Sequence, residues 1–191
     1  MDVYEAIEKR RTIRTFRQGV SEEQLRKLLL AGVNAPSGSN VQPWEFIIID
    51  DPTIIEQICQ QTLKKPLSLD RAIRQKNAYR NCTVIAVCNK KGHGIGRKPW
   101  MNIENIASTW MCIENMALAA TADGLGIQIS ILREEHKIAV EKLLGIPEDY
   151  ELATMVLIGV PAEIPRKREF GAVRPDFSWL HKDRFGTAAT L

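Results

Sequence analysis

Apolar residues along the chain recur with two periods, and the changes from one to the other divide it into elements. Val3, Ala6, Ile7 and Arg10 fall at helical spacing, which predicts a short first helix over residues 2–10 that delivers a run of arginines at its end. Ser21 and Gln24 stand in capping-box relation, and Leu25, Leu28, Leu29 and Gly32 continue one face, so a second helix is expected to end near Asn34. Residues 45–49 form an apolar strand, and Asp51-Pro52 opens a third helix through about Leu63, since Pro suits a first helical turn. Thr83 to Val87 is rich in β-branched residues and predicts a second strand. Asn102 to Asp123 is the longest helical pattern, with Ile103, Ile106, Trp110, Ile113 and Met116 covering more than one face. A helix of this kind must be buried on several sides, so it is expected to run through the core and a subunit interface. Gly124-Leu125-Gly126 ends it, the first glycine suiting a left-handed cap. Ile127 to Leu132 is then a short extended stretch, Glu134 to Leu144 a helix stopped by Gly145, and Leu152 to Gly159 an apolar strand.

Composition narrows the class. With 191 residues, 45% hydrophobic and 26% charged, the chain is long enough for one sizeable core, so a single domain over 1–191 is expected, with residues from about 171 as a C-terminal tail. A net charge of +3 is too mild for a dedicated nucleic-acid binder and fits a specific anionic ligand better. The N-terminus is acidic and amphipathic, and no run is long enough to cross a bilayer, so a cytoplasmic protein without a membrane partner is expected. Cys59, Cys82, Cys88 and Cys112 form no CxxC pair and have no His at ligand spacing; they read as reduced, buried thiols, with no metal site.

Two stretches carry candidate chemistry. Arg10-Arg11-Thr12-Ile13-Arg14 gathers three guanidinium groups and a hydroxyl, donors that match phosphate or carboxylate. A basic turn can also simply face water. Ile13 and Phe16 interleave with the cations, which predicts a segment lying on a core with its charges on one side. The second stretch, residues 35–44, combines Ser37, Ser39, Asn40 and Gln42 with a Pro43-Trp44 anchor and can bring amide groups close to a planar polar ligand. Asn89 to Gly96 lacks both the P-loop ending and the GxGxxG spacing, so it reads as a surface loop, and His93 has no evident catalytic partner. No Ser-His-Asp set or carboxylate pair emerges, which agrees with chemistry supplied by a cofactor.

Arg10-Arg11-Thr12-Ile13-Arg14 followed by APSGSNVQPWEF resembles the nitroreductase family of FMN-dependent oxidoreductases, and the resemblance extends over residues 2–170. It implies an α+β fold, a mainly antiparallel sheet surrounded by helices, assembled as a homodimer with two FMN sites at the interface. It further implies that Arg10, Arg11 and Thr12 hold the phosphate or ribityl oxygens and that Arg14 faces the flavin O2/N1 edge. Thr12 stands where relatives more often have Ser. Pro36, Ser37, Asn40 and Gln42 would reach the ring or the substrate space from the partner subunit, and Ser130, Ile131 and Leu132 would pass their main chain along N5 and O4. Gly159 to Glu163 resembles the family's glycine-aromatic-proline-alanine signature, with Val160 in the aromatic position, and Arg166 and Arg168 would complete the phosphate site. The basic segment 64–81 is a candidate lid over the substrate, and the tail is expected to wrap the partner. The implied reaction is ping-pong: NADH or NADPH reduces FMN and leaves, then a nitroaromatic, quinone or other electron-poor small molecule takes the electrons. Two alternatives stand beside it, a flavin-dependent reductive dehalogenase of the iodotyrosine deiodinase type and a cofactor-free module that binds an anionic partner through residues 9–17 and 166–174.

Overall fold

Four consecutive residues, Val84 to Val87, are fully buried although their side chains alternate between opposite sides of a strand. A strand with both faces buried needs a layer of helices on each side, and that requirement sets the architecture. The computed structural model describes residues 1–62, 76–92, 99–165 and 179–187. In chain order it contains α1 (Val3–Lys9), β1 (Phe16–Gln18), α2 (Glu22–Val33), a 3-10 turn at Gly38–Asn40, β2 (Trp44–Ile49), α3 (Pro52–Thr62), β3 (Thr83–Lys90), α4 (Pro99–Ala122), β4 (Gly126–Ser130), α5 (Glu134–Leu144) and β5 (Tyr150–Pro161). Residues 76–80 are also helical. The sheet runs β1-β5-β3-β2, with β4 also paired to β5, and all of these pairings are antiparallel. This is the α+β arrangement that the sequence led us to expect.

On one face Ile85, Val87, Val156 and Ile158 pack with Leu28 of α2 and with Ile113, Met116, Ala117 and Ala120 of α4. On the other, Val84, Ala86, Met155 and Leu157 pack with Ile58 of α3, Val140 of α5 and Tyr79. Burying a Leu, Ile or Val side chain contributes about 1.5–3 kcal/mol, so these two layers dominate the folding energy.

The helix signals act as expected. Ser21 Oγ accepts from Gln24 N while Gln24 Oε1 accepts from Ser21 N, closing the capping box. Gly124 and Gly145 sit at φ +73° and +66°, and Ile146 N donates to Glu141 O to close the end of α5. Four boundaries and one thiol depart from expectation. β3 continues through Asn89 and Lys90, which we had read as the start of a loop, because the Asn89 amide finds buried partners. α4 starts at Pro99 rather than Asn102, a proline again at the first helical position. β5 extends from Tyr150 to Pro161 and β2 begins at Trp44. Cys82 is half-buried rather than buried, while Cys59, Cys88 and Cys112 are fully covered. Burial pushes the thiols of Cys82, Cys88 and Cys112 up to about 12, so they stay neutral at ordinary pH. No helix among the described residues is long and apolar enough to cross a membrane.

Candidate functional site

The arginine turn is built by the end of α1 and the outer edge of β4. Ile13 N donates to Ile127 O at 3.0 Å, and Thr12 bridges Ile127 in parallel. Ile13 is 4% exposed and Phe16 5%, while Arg14 between them is exposed, so apolar side chains turn inward and cations outward as the interleaving predicted. The approach is close enough to require glycine opposite: a Cβ on Gly126 would lie 2.8 Å from the Ile13 side chain.

The three arginines divide their work. Arg11 folds back and donates from Nη1 to Glu8 O at 2.6 Å and Arg10 O at 2.7 Å, capping the carbonyl end of α1. Arg10 sets its Nε 3.2 Å from Glu114 Oε1 on α4. Arg14 makes no ion pair among the described residues and is exposed.

The loop 35–43 is strained. Ser39, Asn40 and Gln42 have φ of 50°, 54° and 50°, left-handed values that cost non-glycine residues of order 1–2 kcal/mol each and least for Asn. Local bonds hold them: Ser37 Oγ accepts from Gln42 N at 3.0 Å, and Asn40 Oδ1 accepts from Gln42 Nε2 at 3.2 Å. Among the described residues the Ser37 hydroxyl proton and the Asn40 amide hydrogens have no acceptor, and Pro36, Asn40 and Gln42 are exposed. Gly38 lies against α4, where a Cβ would approach Glu104 Oε2 to 2.9 Å.

Within the chain the two motifs lie apart. The arginine turn touches α4 at Glu114 and the polar loop at Glu104, ten residues apart, about 15 Å along the helix. Between these anchors α4 presents Ile106, Ala107 and Met111 to the outside, and Ile103, just before the first anchor, is 70% exposed. Of the face read on α1, Ala6 is buried while Val3 and Ile7 are exposed, as is Tyr4, so that face is only partly covered by the described residues.

Ser130 ends β4 opposite Met155, and Ile131 and Leu132 leave the sheet beside a cavity of about 220 Å³. Its walls include Asn89, Ile106, Trp110, Lys137, Glu151 and Ala153. Here β5 carries a bulge: Val87 pairs with Thr154 but Cys88 with Leu152, leaving Ala153 over. Along this wall Lys137 Nζ donates to Glu151 Oε2 at 2.8 Å, Asn89 Nδ2 to Glu151 Oε1 at 3.3 Å and Thr109 Oγ1 to Asn89 Oδ1 at 2.9 Å. Burial alone would raise the Glu151 carboxyl and lower the Lys137 ammonium, but their mutual hydrogen bond and charge hold Glu151 below its usual range and Lys137 above. We had singled out none of these four residues from the sequence. The available signal was Asn89, a polar residue directly after an apolar strand, which a core position tolerates only when partnered.

Arg166 and Arg168, residues 64–75 of the candidate lid, His93, and residues 171–178 and 188–191 of the tail lie outside the described residues.

The family model described as "Nitroreductase family" matches residues 7–160. Protein DrgA of Synechocystis sp. is 32% identical, covering 88% of this chain and 89% of its own. A 5,6-dimethylbenzimidazole synthase of Rhodobacter capsulatus is 30% identical over 82% of each chain. Among solved structures, a nitroreductase-type protein in complex with FMN from Desulfovibrio desulfuricans superposes with a TM-score of 0.74 at 25% identity, covering 97% of this chain and 98% of that one.

Proposed function

The chain belongs to the nitroreductase family of oxidoreductases, and on that premise we propose that it is a cytoplasmic, homodimeric, FMN-dependent enzyme that uses NADH or NADPH to reduce an electron-poor small molecule such as a nitroaromatic or quinone. The observation that carries this reading is the separation of the two motifs along α4. Two chains packed about a two-fold axis, with α4 antiparallel to its counterpart, would lay the loop of one against the arginine turn of the other and cover the Ile103–Met111 stripe and the outer face of α1. Each site would then draw on both chains.

The residues fit FMN. Arg14, exposed and without an ion pair among the described residues, would join the Thr12 hydroxyl and Arg10 as donors for a phosphate and an electron-rich ring edge, while the strained loop offers donors for ring oxygens and nitrogens. When bound, FMN would supply the hydride and electron transfer that no side-chain set here performs. Arg10 and Thr12 would bind the phosphate, Arg10 turning from Glu114 to do so, and Arg166 and Arg168 would add charge to the same end. Arg14 would oppose the N1/O2 edge and favour the ring when it carries negative charge. Ser37, Asn40 and Gln42 of the second chain, with Pro36, would orient the ring, and the main chain of Ser130, Ile131 and Leu132 would line N5 and O4. The donor and the acceptor would use the same open ring face in turn, which gives ping-pong kinetics.

Heat release and chromatography of the bound flavin test the cofactor: FMN is expected, and FAD would refute the reading. A colourless protein that FMN cannot reconstitute would favour the cofactor-free alternative. Light scattering at low micromolar concentration is expected to give twice the 21.6 kDa chain mass. A monomer that retains flavin would overturn the shared site.

A further inference from the structure

We propose that Glu114 is a built-in competitor for the flavin phosphate: its carboxylate holds the Arg10 guanidinium in the flavin-free chain and yields it only to an anion of greater charge, a phosphate monoester. The inference rests on the arginine turn being the phosphate site of FMN. It adds the residue that sets how strongly that site prefers a phosphorylated flavin over an unphosphorylated one.

The arginines of the turn are engaged differently. Arg11 uses its Nη1 on two carbonyl oxygens, and Arg14 makes no ion pair among the described residues. Arg10 meets a carboxylate, with Nε 3.2 Å from Glu114 Oε1. Both backbones behind this contact are fixed. Arg10 N donates to Ala6 O at 2.9 Å and Ile13 N to Ile127 O at 3.0 Å, while Glu114 follows Cys112 and Ile113, which are fully buried on α4. Only the side-chain heads are therefore free to exchange partners. Those side chains are 35% and 48% exposed, so water screens the pair and it opens at small cost.

Charge decides what opens it. A carboxylate carries one negative charge, whereas a phosphate monoester carries nearly two at neutral pH and three strong acceptor oxygens. A monoanion that displaced Glu114 would exchange one such contact for another and leave the Glu114 charge unpaired beside it. A phosphate adds charge-assisted hydrogen bonds that offset this loss. Riboflavin, which has no phosphate, leaves the Arg10–Glu114 pair in place.

Fluorescence titration of the flavin-stripped full-length protein with FMN and with riboflavin tests this in the parent, Glu114→Gln, Arg10→Ala and the double variant. Glu114→Gln removes the charge at nearly equal size. It is expected to tighten FMN by about two- to tenfold and to leave riboflavin unchanged, so the preference for the phosphorylated flavin rises by that factor. In the Arg10→Ala background the same substitution should change FMN affinity by less than about twofold, because the group it releases is gone. The ratio of the two affinities is the deciding quantity, since damage to the fold or the dimer weakens both flavins together. A ratio that stays the same or falls in Glu114→Gln overturns the proposal, and a fall would make Glu114 a support that orients Arg10. Undiminished tightening in the Arg10→Ala background overturns it as well. A parent that binds neither flavin, or both equally, refutes the phosphate site itself and the inference with it, an outcome distinct from a parent that prefers FMN with a ratio indifferent to Glu114.

Discussion

The two ends of β4 handle polar groups in opposite ways. At its far end Lys137, Glu151, Asn89 and Thr109 come from four different elements and partner one another, and two of them are almost wholly buried. At its near end Arg14 stands exposed and unpaired among the described residues, and across α4 the loop 37–42 holds three non-glycine residues in left-handed conformations with donors left over. The first region is complete in itself and can serve folding. The second bears strained backbone and a charge unpaired among the described residues, features that cluster at ligand clamps and binding sites.

Breaking a partnership at the complete end should therefore cost the most stability. Glu151→Ala leaves Lys137 and Asn89 without their acceptor and is expected to lower the unfolding free energy by about 2–3 kcal/mol, read from urea midpoints. Arg14→Gln in the same assay should stay within about 0.5 kcal/mol of the parent. Equal losses would erase the distinction between the two ends.

Flavin binding should reverse the ranking. Arg10→Ala and Arg14→Gln are each expected to weaken FMN by about 10- to 100-fold in fluorescence titrations, the loss of a charge-assisted hydrogen bond. At saturating FMN, Arg14→Gln should lower the midpoint potential while Arg10→Ala and Arg168→Ala leave it nearly unchanged, because phosphate contacts are the same in both redox states. A larger shift from Arg10→Ala would show that the arginine roles are wrongly assigned.

Ser39→Gly relieves a φ of 50° and should stabilise the free chain by up to about 1 kcal/mol while loosening the loop and weakening FMN. A stabilised variant with unchanged affinity would separate the strain from binding.

The smallest effect is the pH dependence of the Lys137–Glu151 pair. Glu151 is lowered from 4.5, so its stabilisation is full above that value and is lost as pH falls through the folded pKa; Lys137 is raised from 10.5, so its share is full below that value and lost at still higher pH. The stability difference between the parent and a Lys137→Met/Glu151→Leu double variant should be flat between those limits and change outside them. A slope near pH 7 would contradict the pairing.

These two ends were also unequally legible in the sequence. Ile13 and Phe16 alternating with arginines, and the capping and glycine signals of α2, α4 and α5, act through neighbours in the chain, and their local structure followed. The polar loop stood out by composition, yet nothing in its residues indicated left-handed backbone at Ser39 and Gln42, which local bonds and packing against α4 impose. The network at Asn89 was missed because its partners lie 20 and 62 positions away, so an amide that looked like the start of a loop is the buried end of a strand. Arg11 looked equivalent to Arg10 and Arg14, but its reach to two carbonyls of its own helix end sets it apart.

The ten-residue interval on α4 between Glu104 and Glu114 has a genetic consequence. If each pocket joins the arginine turn of one chain to the loop of the other, an allele damaged only in the turn and an allele damaged only in the loop are complementary. In a mixed dimer one pocket inherits both lesions and the other neither, so with random pairing roughly a quarter of all pockets are restored. Coexpression of Arg14→Gln and Asn40→Ala chains would recover activity that neither supports alone, whereas two alleles both damaged in the turn would recover none.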